Sequence, residues 1–86
     1  MNYILSNHAQ IEIKRRNIPL AFVESVLNNP QQIISEREGR KAYQSQIDFG
    51  NGKIFLLRVI VIDDVEPAVV ITVYRTSNIN KYWQTP

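Results

Sequence analysis

The sequence predicts an α+β fold in which two amino-terminal helices pack on a three- to four-stranded antiparallel sheet. Apolar residues recur at helical spacing as far as Leu27, the period changes to two by Tyr43, and Asn51-Gly52 separates two apolar-rich segments as a hairpin turn. The 86 residues suit one domain, 1–86. A chain of this size buries roughly two-thirds of its unfolded surface, enough for a single core.

Ser6 is placed to cap a first helix whose apolar positions Leu5, Ala9 and Ile13 are four apart, with the run continuing to about Asn17. Pro19 opens the second helix, because its fixed φ suits a first turn, and Phe22, Val23, Val26 and Leu27 form its apolar stripe until Asn28-Asn29-Pro30 stops it. "QQIISE" reads as a short strand and "EGRK" as a turn. Tyr43, Ser45, Ile47 and Phe49 then alternate with polar residues, Gly50 to Lys53 turn the chain, Ile54 to Ile62 form a third strand, and Ala68 to Arg75 supply a β-branched fourth.

The third strand is apolar on both faces, yet two short helices cover only one. The other face therefore calls for a homodimer or a protein partner, or for the termini folding over it. An Asn51-Gly52 turn that pairs Gly50 with Lys53 sets Ser45 opposite Arg58. A five-residue connection at Asp63 to Pro67 sets Arg58 opposite Thr72 and Leu56 opposite Tyr74. Ser45, Arg58 and Thr72 then form one cross-strand row, with Lys41, Tyr43 and Tyr74 on the same face by parity. A buried, unpaired guanidinium costs several kcal/mol, so Arg58 calls for an anionic partner such as Glu12 or Glu24, an edge, or a wet cleft.

Composition excludes several chemistries. Without cysteine there is no disulfide, thiol nucleophile or thiolate metal site, and a single histidine makes a protein-only zinc centre improbable. No metal or cofactor is expected. "GNG" lacks the strand-to-helix setting of a phosphate loop. The longest apolar stretch is interrupted by Arg58 and is too short to span a bilayer, and the start lacks the basic and long apolar regions of a signal peptide. No membrane association and a cytoplasmic location are therefore expected. The net charge of +2 pulls only weakly on polyanions, but Lys14-Arg15-Arg16 and Arg37 to Lys41 concentrate positive charge locally, while acids gather at Asp63 to Glu66.

His8, Ile11, Glu12 and Arg15 fall on one stripe of the first helix, and Arg16 returns near it. Imidazole beside guanidinium groups suits acid–base work on phosphate esters, since histidine titrates near neutrality and arginine stabilises a pentacovalent phosphate. An imidazole near a helix start also serves as a capping or surface group. Tyr82 and Trp83 in "NKYWQTP" either cover exposed sheet or stack on bases.

"SNHAQIEIKRRNIP", "VLNNPQQII" and "VVITVYRTSNINKYW" together resemble the small bacterial family called domain of unknown function 4258. That resemblance covers nearly the whole chain. It implies a fold similar to the compact RelE/BrnT-like ribonuclease toxins, neutralised by a small antitoxin, here one of the domain of unknown function 2283 family. By position, the family's histidine falls on His8, its arginine on Arg16, and its last-strand pair on Thr72 and Tyr74. Glu12 stands where many relatives have arginine, either as a second acid–base group or as an ion-pair partner.

The expectation that follows is a toxin of a type II toxin–antitoxin system, a metal-independent endoribonuclease that binds RNA. His8, Glu12, Arg16 and Tyr74 are its expected catalytic residues, and Arg15, Lys41, Tyr43, Arg58 and Thr72 its expected RNA contacts. The alternative is a non-catalytic interaction module that holds a partner through the apolar sheet face.

Overall fold

The computed structural model describes residues 1–85. In chain order it contains β1 (Tyr3–Leu5), α1 (Asn7–Arg15), α2 (Leu20–Asn28), β2 (Gln32–Ser35), a tight turn at Arg37–Gly39, β3 (Lys41–Asp48), β4 (Ile54–Ile62), β5 (Ala68–Thr76) and α3 (Ile79–Tyr82). The strands form one five-stranded sheet ordered β1-β5-β4-β3-β2. All neighbours are antiparallel except β1, which runs parallel to β5. The α+β class holds, but the three- to four-stranded antiparallel sheet expected from the sequence is corrected to five mixed strands. At three residues β1 is too short to display a period of two, and its partner lies more than sixty positions away.

The helix ends follow from local chemistry. The Ser6 side chain accepts from the Ala9 N–H at 3.0 Å, capping α1 as expected. At the other end Asn17 adopts a left-handed φ of 52°. The Ile18 N–H then reaches the Ile13 carbonyl at 3.0 Å and the Asn17 N–H reaches Lys14 at 3.2 Å, a Schellman closure that brings two apolar residues, Ile13 and Ile18, into the core. Pro19 caps α2, whose Val23, Val26 and Leu27 are buried.

Both helices contribute to the core on one sheet face, α1 packing along β5 and α2 against β3 and β4. Ala9, Ile13, Val23 and Val26 meet Tyr43, Leu57, Val59 and Val73 there. β4 is the central strand, and its Leu56, Leu57, Val59 and Val61 are fully buried. Burial of such side chains contributes about 1.5–3 kcal/mol each.

Side-chain placement differs from the expected register. The turn is centred on Asn51 and Gly52, both at positive φ, but Lys53 opposes two residues: its N–H donates to the Gly50 carbonyl at 3.1 Å, and its own carbonyl accepts from the Phe49 N–H at 2.9 Å. Gly50 is thus an extra residue in β3's hairpin arm, and its N–H turns to the Asp48 carboxylate at 2.7 Å. The bulge moves the register by one, so Arg58 faces Gln44 rather than Ser45. Between β4 and β5, Ile62 pairs with Val69, and a further irregularity lies between Ile60 and Val61. Arg58 therefore faces Tyr74 rather than Thr72, and Thr72 pairs with Ile60.

A one-residue slip exchanges the faces of a strand relative to its partner. Gln44, Arg58 and Tyr74 consequently share the face away from the helices, while Lys41 and Tyr43 fall on the alternate positions of β3, with Tyr43 in the helix-side core. Their expected place beside Arg58 is corrected. The outer face itself is covered: Ala42, Leu56, Arg58 and Ile60 are buried, and the Tyr82 ring of α3 lies over the Arg58 guanidinium at 4.3 Å.

Candidate functional site

The expected site residues fall into three separate groups. The first lies on α1, where one-turn spacing gathers His8, Glu12, Arg15 and Arg16. Glu12 is the buried member, its side chain 12% exposed against 62% for His8 and 63% for Arg15. Arg15 grips its carboxylate through Nε at 2.9 Å and Nη2 at 3.2 Å, and Arg16 donates from Nε at 3.1 Å. Hydrogen bonds from Arg15, then from Arg16, hold the Glu12 carboxyl below the usual carboxylate range, despite the opposing effect of desolvation. Glu12 is therefore ionised at neutral pH and has no proton to give. His8 Nε2 stands 3.8 Å from Glu12 Oε1, within ion-pair range but beyond a direct hydrogen bond.

The second group is centred on Arg58, which is 3% exposed. Its guanidinium donates to three acceptors: Gln44 Oε1 at 2.8 Å, the Tyr74 hydroxyl at 2.6 Å and the Glu36 carboxylate at 3.0 Å. The anion that resolves its burial is thus Glu36, from the β2–β3 connection, rather than the expected Glu12 or Glu24. Gln44 also donates to Gln32 Oε1 at 2.8 Å and to the Tyr82 carbonyl at 3.2 Å, fastening the carboxy-terminal segment to the sheet. Burial raises the Tyr74 phenol above its ordinary value, opposed by Arg58, so Tyr74 stays protonated at neutral pH. Beside this row an open cleft of about 440 Å³ is lined by Arg37, Arg40, Ile60, Thr72 and Tyr74 together with Glu36 and Glu38.

The third group joins Lys41 and Tyr43 to Asp63. Lys41 pairs with the carboxylate at 3.1 Å, and the Tyr43 hydroxyl donates to it at 2.7 Å. Desolvation and Asp63 push the Tyr43 phenol up to about 12, while the same hydrogen bond, with help from Lys41, lowers Asp63. Both expected RNA contacts are committed to an internal anion.

Among the described residues, no hydrogen bond or ion pair links His8 or Arg16 to Arg58, Thr72 or Tyr74. α1 supplies Ala9 and Ile13 to the core on one sheet face, whereas Arg58 and Tyr74 occupy the other. The convergence of imidazole, Arg58 and Tyr74 that the sequence reading required is replaced by two distinct constellations. Sequence reasoning missed Glu36, Arg37, Gln44 and Asp63 as members of these groups, whereas Tyr82, expected either to cover exposed sheet or to stack on bases, lies over the outer face. The basic run at Arg37 to Lys41 and the acidic run at Asp63 to Glu66 were the available signals, but neither reveals its partner without the strand register. Among the described residues no three His, Asp or Glu side chains come together as a metal ligand set, and no helix is long and apolar enough to cross a membrane.

No curated protein matches this chain, and no solved structure does. One family model matches over residues 5–75, described as Domain of unknown function (DUF4258). The match begins at the last residue of β1 and ends one residue before the end of β5.

Proposed function

Because the chain belongs to the domain of unknown function 4258 family, we propose that it is the toxin of a type II toxin–antitoxin pair, a cytoplasmic metal-independent endoribonuclease with a RelE/BrnT-like architecture. The reading rests on the α1 group, in which an exposed imidazole and two guanidinium groups gather around one buried carboxylate. His8 accepts the ribose 2′-hydroxyl proton. The 2′-oxygen then bonds to phosphorus, the bond to the 5′-oxygen breaks, and the leaving oxygen takes a proton from water. Donors of Arg15 and Arg16 not used on Glu12 face the phosphate, and bidentate guanidinium geometry suits it. Glu12 is a positioning residue: its ionised carboxylate fixes both arginines and attracts the imidazolium that forms when His8 takes the proton. Standing where the resemblance implies an arginine, Glu12 thus supplies an ion-pair partner rather than a proton donor.

The test is incubation of the purified protein with RNA in the presence of EDTA. Cleavage to fragments ending in 2′,3′-cyclic phosphate, lost in His8→Ala at unchanged melting temperature, is expected. An equally active His8→Ala protein overturns the assignment. Expression of the chain should arrest growth, and co-expression of a small antitoxin of the domain of unknown function 2283 family should relieve it.

A second reading, a non-catalytic interaction module, is favoured by Ile11 and Leu20, 61% and 49% exposed, beside an apolar depression formed by Leu5, Ile13 and Leu20. The tail covers much of the outer sheet face, so a partner held in this way docks on the helix side. Folded protein that leaves RNA intact and binds an antitoxin would support this reading.

A further inference from the structure

The cleft over Thr72 and Tyr74 carries hydrogen-bonding capacity that the protein itself does not use. Arginine can only donate, so the Tyr74 oxygen accepts from Arg58 at 2.6 Å and its own hydrogen must point elsewhere. Among the described residues no acceptor takes that hydrogen. The Thr72 hydroxyl and the Arg37 guanidinium likewise enter no hydrogen bond or ion pair among the described residues, and both line the same cleft. The acids at its rim are already matched, Glu36 with Arg58 at 3.0 Å and Glu38 with Arg40 at 4.0 Å. Ile60 and the Tyr74 ring supply an apolar surface beside these donors.

We propose that this cleft is a phosphate-binding subsite that takes the phosphate of a nucleotide unit, with Tyr74, Thr72 and Arg37 donating to its oxygens. A protonated phenol and a hydroxyl from β5 and a guanidinium from the β2–β3 connection, all lining one cleft, suit an oxyanion rather than a cation. The cleft's volume of about 440 Å³ lies within the range of small-ligand sites, about 300–1,000 Å³. Arg58 does not contact the ligand; it is a positioning residue that occupies the Tyr74 lone pair and so turns the hydroxyl outward. The proposal rests on the outer face of the sheet and does not depend on nuclease chemistry at His8.

The full chain, labelled with nitrogen-15, is titrated with adenosine 5′-monophosphate, inorganic phosphate and adenosine. The nucleotide should shift the amides of Arg37 to Arg40 and of Thr72 to Tyr74, and adenosine, lacking the phosphate, should not. Phosphate that shifts the same amides with equal affinity identifies the free anion as the ligand, whereas weaker binding assigns the nucleotide unit. Tyr74→Phe and Arg37→Gln should each weaken binding about tenfold, the effect of losing one charge-assisted donor. Because Tyr74→Phe also removes an acceptor from Arg58, Thr72→Val serves as a second variant that leaves Arg58 satisfied. His8→Ala should bind as the wild type does. Absence of shifts at millimolar ligand, shifts that survive both Arg37→Gln and Thr72→Val, or loss of binding in His8→Ala would each overturn the subsite.

Discussion

Arg58 and Tyr74 stand directly opposite each other on β4 and β5, joined by a 2.6 Å hydrogen bond from guanidinium to phenol oxygen. With Gln44 and Glu36 as its other acceptors, this buried cation has a bond from each of its three nitrogens. An ammonium cannot span three acceptors set in that geometry. Arg58→Lys should therefore lower stability by about 1–3 kcal/mol, leaving at least one buried acceptor unmatched. The urea midpoint measures it, and a midpoint equal to that of the wild type would show that the row contributes nothing.

The Tyr82 ring covers the same guanidinium at 4.3 Å and meets the Tyr74 ring edge-on with centroids 6.3 Å apart. Tyr82→Ala should cost about 0.5–2 kcal/mol through the lost cation–π contact. It should also free the tail, which Trp83, the chain's single tryptophan, reports as a red-shifted emission under native conditions. Unchanged emission would count against the tail being held by this contact.

Stability should depend on pH through Tyr43 and Asp63. The Tyr43 phenol is raised in the fold from 10.0 to about 12. Its contribution is complete below the unfolded value and disappears as pH rises through the folded one. Asp63 is lowered from 3.8, so its contribution is present above that value and is lost as pH falls through the depressed one. The melting-temperature difference between wild type and Tyr43→Phe should be constant near neutrality and shrink from pH 10 towards about 12. A difference that persists unchanged to the alkaline end would refute the coupling.

The two glycines flanking Asn51 should respond differently to alanine. Neither has an atom within 4 Å of an added Cβ, so any cost is conformational. Gly52, at φ 76°, lies near the left-handed region that other residues reach for about 1–2 kcal/mol. Gly50, at φ 126°, lies far outside it, and Gly50→Ala should be the more destabilising, by about 1–3 kcal/mol. Chemical denaturation of both variants decides the order, and equal costs would argue against the bulge at Gly50.

The sequence shows the α1 group clearly, because His8, Glu12, Arg15 and Arg16 meet through helix spacing alone. It does not show the Arg58 group. That row depends on one extra residue at Gly50 and one irregularity at Ile60/Val61, and each slip of one position exchanges the faces of a strand. The slip at Gly50 takes Ser45 off the face of Arg58, whereas on β5 the connection that pairs Ile62 with Val69 and the irregularity at Ile60/Val61 add to two positions, so Tyr74 replaces Thr72 opposite Arg58 on the same face. Glu36 was out of reach because its link to Arg58 spans 22 positions and runs through a connection whose shape no local pattern specifies.

By itself the amino-acid order determined the first two helices, their Ser6 and Pro19 starts, the Asn51-Gly52 turn and the class of the fold, but not the short α3. These depend on hydrogen bonds and torsional preferences within a few consecutive residues. Only the tertiary structure decided that β1 closes the sheet beside β5, that the tail covers the outer face, and that His8 and Arg58 belong to different sites. Those outcomes depend on register and long-range pairing, where a single inserted residue outweighs every local preference.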